Sequence, residues 1–237
     1  MSKKRDICEI CGKELSLNSK ESINRTCYFC NRDFSTNIYC PDGHYICDDC
    51  HSRDAIKTIE TYCEKTDLKN PFLIANKIMR HPNFKVYGNE HHALVPAAIL
   101  TALKNNGIRK PNGKDITFSD IQEAIRRGSK IPGGWCGFYG ACGAGIGSGV
   151  AISIFTEATP STEKPRSLAN IMTSRSLSKI ADDLEHCCKR SVIISIAEVL
   201  DFLSEQFDIK LDYNPESCAF SEINDRCEKG NCPIYSS

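Results

Sequence analysis

Pro132-Gly-Gly-Trp-Cys-Gly-Phe-Tyr-Gly-Ala-Cys-Gly-Ala-Gly-Ile-Gly-Ser-Gly-Val-Ala151 is the stretch that decides how the chain is built. Each glycine at 143, 145, 147 and 149 would weaken an isolated helix by roughly 1 kcal/mol. A helix here persists only if neighbours pack hard against it, using the close backbone approach that glycine permits. The pattern predicts a helix over about 143–155. Cys142 falls near its start, where unpaired N–H groups and the helix dipole favour a thiolate and should lower its pKa. Cys142 and Cys136 are therefore candidates for a nucleophile, a redox thiol or a metal ligand. The competing reading is a tight helix crossing with two inert cysteines.

Working outward, the flanking residues read as helices. Ile56, Ile59 and Cys63 share a helical face, and Cys63 reads as core. Pro71 to Arg80 is a helix with proline in its opening turn. Ala93 to Lys104 is apolar and stops at Asn105-Asn106-Gly107. An interior proline costs roughly 3 kcal/mol, so Pro96 is expected in that helix's first turn, with His91 and His92 at or just before its start. Ser119-Asp-Ile-Gln122 resembles a capping box for a short helix ending at Gly128. Further helices are expected over about 166–187 and 191–207.

The chain has 237 residues and 41% apolar content, enough for one or two domains with a real core. Thirty basic residues against thirty acidic ones exclude a general polyanion binder. The charged start, Met1-Ser-Lys-Lys-Arg-Asp, is followed by no apolar run that would read as a secretory signal, and no stretch reads as a membrane span. The expected compartment is the cytoplasm. There the fifteen cysteines would stay reduced and read as metal ligands or redox groups before disulfides.

Seven of these cysteines fall within the first 52 residues. Cys8-x2-Cys11, Cys27-x2-Cys30 and Cys40-x3-His44-x2-Cys47-x2-Cys50 supply eight ligands in four pairs, enough for two closed tetrahedral zinc sites. A segment this poor in large apolar groups needs metal to fold. Two pairings are open. The sequential one sets Cys8, Cys11, Cys27 and Cys30 against Cys40, His44, Cys47 and Cys50. The cross-braced one joins Cys8 and Cys11 to Cys40 and His44, and Cys27 and Cys30 to Cys47 and Cys50. Cross-bracing is favoured because it makes Cys27–Cys50 a treble clef: a knuckle, a hairpin over Phe34–Tyr45 and a helix from about Asp49. His51 reads as a neighbouring surface imidazole.

Other candidates could converge on the glycine-rich core. Asn89-Glu-His-His92 offers Glu90 as a base or ligand-orienting carboxylate and His91 and His92 as auxiliary ligands. His186-Cys187-Cys188 is expected near the end of a long helix, with only one of Cys187 and Cys188 facing the same site. The tail, Cys218-x8-Cys227-x4-Cys232-Pro, falls one ligand short of a closed site. Cys187, Cys188 or an external group could complete it, as an iron–sulfur centre or a zinc clasp.

The run Ala97-Ala-Ile-Leu-Thr-Ala-Leu103, then Gly133-Gly-Trp-Cys-Gly-Phe-Tyr-Gly-Ala141, then Cys187-Cys188 resembles the C_GCAxxG_C_C helical redox-type proteins. It departs from them in lacking the early cysteine, near which His91 and His92 stand. The whole chain is similar to an uncharacterised family of unknown function from methanogens and other anaerobes. That resemblance implies an anaerobic cytoplasmic setting, iron–sulfur content, and partner enzymes of the radical-SAM or methyltransferase type.

The expected fold is mainly α. A small treble-clef or zinc-ribbon-like β-rich module (1–53) precedes a helical domain (54–212) and a cysteine-rich tail (213–237). The expected function is a metalloprotein with two structural zinc ions and a second metal or redox-active thiol centre at Cys136, Cys142 and Cys187 or Cys188, acting in electron or sulfur transfer. The alternative is a non-catalytic zinc module that docks a protein, with the helices as scaffold. Substrate and oligomeric state are not legible, and whether the chain is an enzyme stays open.

Overall fold

The computed structural model describes residues 8, 10–17, 22–47, 50, 54–211 and 213–235. The expected helix start near Asp49 and the neighbouring imidazole His51 lie outside the described residues.

Two antiparallel strand pairs build the N-terminal module. β1 (Ser16–Leu17) pairs with β4 (Ile38–Tyr39), and β2 (Ile23–Thr26) with β3 (Asp33–Thr36). The hairpin expected over Phe34–Tyr45 is replaced by one over 23–36, with the Cys27–Cys30 knuckle at its tip. The knuckle sets this register: Cys27 N–H donates to Arg32 O at 2.8 Å, and Asn31 N–H to Cys27 O at 3.0 Å. Asn31 holds φ 54°, a left-handed turn that asparagine tolerates better than most residues.

Eight helices follow among the described residues: α1 (Ala55–Lys65), α2 (Pro71–Met79), α3 (Glu90–Asn105), α4 (Phe118–Gly128), α5 (Trp135–Phe138), α6 (Gly143–Phe155), α7 (Glu163–Ile180) and α8 (Cys188–Phe207). The protein is mainly α, and no helix among the described residues is long and apolar enough to cross a membrane. Asp54 caps α1 by accepting from Lys57 N–H, and Asn70 caps α2 by accepting from Phe72 and Leu73 N–H. At α4 the capping box is Thr117 with Asp120, not Ser119 with Gln122. Asp120 accepts from Thr117 N–H at 2.8 Å, which moves the helix start two residues earlier.

α3 is the axle of the domain, buried from Glu90 to Leu103 and packed against α1, α2, α4, α6 and α8. Pro96 lies inside this helix, one turn later than expected. It has no N–H to offer the His92 carbonyl four residues back. Two backbones close on that carbonyl instead: a Cβ at Gly128 would lie 2.8 Å from His92 O, and one at Gly147 2.7 Å. The resulting crossings are too tight for any residue but glycine.

α6 spans the expected residues, and its glycines form two stripes. Gly143 and Gly147 face α3, where a Cβ at 143 would sit 2.3 Å from the His92 ring. Gly145 and Gly149 face α7, against Leu177, Thr173 and Ala169. Ser148 Oγ donates to Gly145 O at 2.6 Å and lies 2.8 Å from Ser176 Oγ of α7. The helix thus exchanges propensity for packing on two sides.

α7 ends at Ile180, seven residues before the expected Cys187. Asp182 and Asp183 would extend negative charge into the negative end of the helix dipole. Asp182 leaves the helix and accepts from Leu184 N–H at 3.3 Å and from Arg190 at 3.0 Å. Cys187 and Cys188 therefore stand at the start of α8, not at the end of α7.

Candidate metal and thiol centres

Among the described residues, the N-terminal ligand atoms gather into two groups, each within 4.8 Å throughout: Cys8, Cys11, Cys40 and His44; and Cys27, Cys30, Cys47 and Cys50. This is the cross-braced arrangement. Cys11 Sγ lies 3.5 Å from Cys40 Sγ, Cys30 Sγ 3.9 Å from Cys47 Sγ, and Cys40 Sγ 3.6 Å from His44 Nδ1. A tetrahedron with metal–sulfur bonds of about 2.3 Å has edges of about 3.8 Å, so these spacings fit one ion per group. Burial pushes Cys8 up to about 11 and Cys50 higher still. For Cys30 burial also pushes upward, but hydrogen bonds from Arg32 prevail and bring it to about 7. Thiolates this close need a cation among them.

Contacts between the module and the helices include an edge-on ring pair, a hydrogen bond and a cation–π contact. Phe29 meets His81 edge-on at 4.4 Å, His81 Nε2 stands 2.8 Å from Cys50 O, and Lys77 lies over the Tyr28 ring.

A looser set of thiols about one imidazole lies where α5, α6 and α8 begin; unlike the quartets, it does not bring three ligand atoms within 4.8 Å of one another. Cys136 Sγ lies 3.8 Å from His186 Nε2, and Cys188 Sγ lies 3.7 Å from the same nitrogen. Cys136 is exposed, Cys142 half-buried and Cys188 buried. Burial first, then the charge of Cys142, Cys187 and Cys136, pushes Cys188 up to about 11. Cys142 is the N-cap residue of α6, though its sulfur makes no capping hydrogen bond. The His186 ring stacks on Tyr87 at 5.8 Å. His92 adjoins this group by resting on Gly143, next in chain to Cys142. Its Nδ1–H donates to Ile131 O at 3.0 Å, leaving Nε2 as the ring's lone-pair nitrogen.

His91 and Glu90 do not join the sulfurs. His91 is fully buried against Phe84, its Nδ1 3.0 Å from Gly88 O and its Nε2 without a hydrogen-bond partner, and burial lowers its pKa well below the ordinary range. Glu90 lies 3.9 Å from His91 Nδ1 and lines a surface cleft of about 700 Å³ whose described walls contain no cysteine. Cys63 is core, its thiol raised to about 12 by burial. Cys187 turns away from Cys188 and faces Cys218, Cys227 and Cys232 of the tail across a small cavity.

In the sequence His186 stands among the candidates only within the run His186-Cys187-Cys188 and is given no role of its own. Sequence reasoning passed over Tyr87, whose hydroxyl donates to Asn224 Oδ1 at 2.6 Å, and over Lys189. Lys189 is buried between the Phe84 and Phe220 rings, and burial lowers its pKa to about 8.

Fold and sites together define a mainly α, cysteine-rich protein with two cross-braced groups able to hold metal ions. The chain belongs to a family of unknown function, DUF5714, whose pattern covers residues 59–235. That span takes in the helical domain and tail and begins after the N-terminal quartets. No curated protein and no solved structure matches the chain.

Proposed function

We propose that this chain is a metalloprotein whose N-terminal quartets hold two structural zinc ions and whose helical domain carries a chemically active thiol–imidazole centre working in electron or sulfur transfer. The observation that carries the reading is the sharing of one imidazole nitrogen by an exposed and a buried cysteine, Cys136 and Cys188, with Cys142 near enough to act on Cys188 electrostatically. The N-terminal quartets close on themselves, as structural sites do. This group instead keeps one sulfur at the surface, where a metal held by Cys136, Cys142, His186 and Cys188 could exchange electrons or sulfur with a second protein.

Phe138 and Tyr139 support a partner. They are 86% and 73% exposed in the same turn as Cys136, and so place apolar rings beside the open sulfur. An enzyme of the radical-SAM or methyltransferase type is the partner suggested by resemblance, in an anaerobic cytoplasm that keeps the thiols reduced.

The test is metal and acid-labile sulfide content, with an absorption spectrum, on protein purified without oxygen. Iron and sulfide with a visible band that disappears in Cys136→Ser and His186→Ala, or a single fast-alkylating Cys136, supports the reading. Zinc alone, no chromophore and an unreactive Cys136 overturn it. In that case the chain is a zinc-dependent docking module on a helical scaffold.

A further inference from the structure

The tail crosses back over the start of α8 with little regular structure, one short 3-10 turn (Lys229–Asn231) and few buried residues besides Phe220 and Asn224. A segment of that kind needs a cross-link to stay in place. We infer that Cys187, Cys218, Cys227 and Cys232 form a further metal site, four thiolates that close on one divalent thiophilic ion and clasp the tail to α8.

The four cysteines line one small cavity. Each sulfur also receives a donor. Phe220 N–H donates to Cys218 Sγ at 3.4 Å, Lys229 N–H to Cys227 Sγ at 3.4 Å, and Asn224 Nδ2 to Cys187 Sγ at 3.7 Å. The Arg190 guanidinium donates to Cys232. Two of these bonds run from the N–H two residues on to the sulfur. The same bond recurs in the N-terminal quartets, from Ile10 to Cys8, Arg32 to Cys30 and Asp42 to Cys40. Cys218 and Cys227 thus sit in the turn found in the N-terminal quartets, although the tail sulfurs are not drawn within 4.8 Å of one another as those are.

Arg190, which also pairs with Asp182, and Arg226 bring positive charge to the cavity wall beside the thiols. Glu228, also on the wall, turns its carboxylate to the Glu185 N–H. The site is separate from the centre at Cys136. Cys187 and Cys188 are consecutive at the start of α8, and their side chains serve opposite sides of the backbone.

The experiment uses the full chain, reduced and free of oxygen, with zinc as the probe. Metal per chain is measured for the wild type and for Cys218→Ser, Cys227→Ser, Cys232→Ser and Cys136→Ser. Each tail variant is expected to lose one equivalent, and its tail to be cleaved by protease at least tenfold faster. Cys136→Ser should keep that equivalent whatever the fate of the transfer centre. On the wild type alone, differential alkylation read by mass spectrometry should show Cys218, Cys227 and Cys232 at least tenfold protected with zinc, and exposed by a strong chelator. Unchanged metal content in tail variants that keep their helical signal would overturn the inference. So would equal alkylation with and without zinc, a Cys227–Cys232 disulfide in protein kept reduced, or loss of iron and sulfide along with Cys227.

Discussion

Around Cys27, four sulfurs form the centre of a module whose strands run two to four residues. Around Cys63, a single sulfur fills space between helices whose burial comes from Ile59, Leu94, Ile99 and Phe155. The same residue type thus does opposite work in the two regions. In the N-terminal module the cysteines are the core and are grouped as ligands able to hold metal ions. In the helical domain the core is apolar and made by shape, most visibly where α6 lies against α3 and α7 on glycine. The lesson is that cysteine content alone says little about stability. What matters is whether thiols face one another or face hydrocarbon.

The sharpest way to break this contrast is to remove the metal ligands. On the proposed zinc occupancy, Cys27→Ser with Cys50→Ser should cost the module about 10 kcal/mol, the scale of structural zinc binding, and abolish amide protection over residues 22–47. The helical signal in circular dichroism should persist. Loss of both together would show that the helical domain also depends on the module, through His81 and Phe29.

Next in size is the helix crossing. Gly147→Ala places a methyl 2.7 Å from His92 O and should cost about 3 kcal/mol in urea unfolding, despite alanine's better helix propensity. Gly137→Ala meets nothing within 4 Å and should be near neutral. Similar losses at both positions would mean that shape complementarity is not what holds α6.

A smaller effect tests the polar part of the helical domain. Arg175 Nε donates to Glu198 Oε1 at 2.6 Å, and Glu198 is only 5% exposed. Arg175→Met should cost about 2 kcal/mol by leaving that carboxylate unpaired. Glu198→Gln made in the same chain should recover part of the loss.

The smallest expected effect is acid sensitivity at α4. For Asp120, burial alone would raise the pKa, but bonds from Lys110 at 2.6 Å and from Thr117 outweigh it and hold the carboxyl below its ordinary range. Its unfolded value is about 3.9, so its stabilisation is complete above that pH and is lost as pH falls through the lower folded value. Asp120→Asn should lower stability by about 1 kcal/mol at neutral pH and flatten the pH dependence below about 4. An unchanged acid slope would show that other carboxylates control it.

Local signals were legible where the chain's own chemistry ends an element. α6 runs over the residues its glycine pattern marks, Pro71 opens α2, and four ligand pairs announce two metal groups. Reading failed where a distant neighbour decides the outcome. Pro96 stands inside α3, where Gly128 and Gly147 from distant parts of the chain pack on the carbonyl it leaves. α7 stops at Ile180 because Asp182 has a partner in Arg190. His186 gains importance only because Tyr87 and Cys136 come to it from far along the chain.

By itself the sequence determined a mainly α protein with two metal-ligand quartets ahead of a glycine-striped helix, because pair spacing, proline and glycine act within a few residues. Only the tertiary structure decided which pairs cross-brace, that Cys188 meets Cys136 and His186, and that Cys187 turns to the tail. Those pairings depend on where folded elements cross, and consecutive residues at a helix start point to different sides whatever their identity.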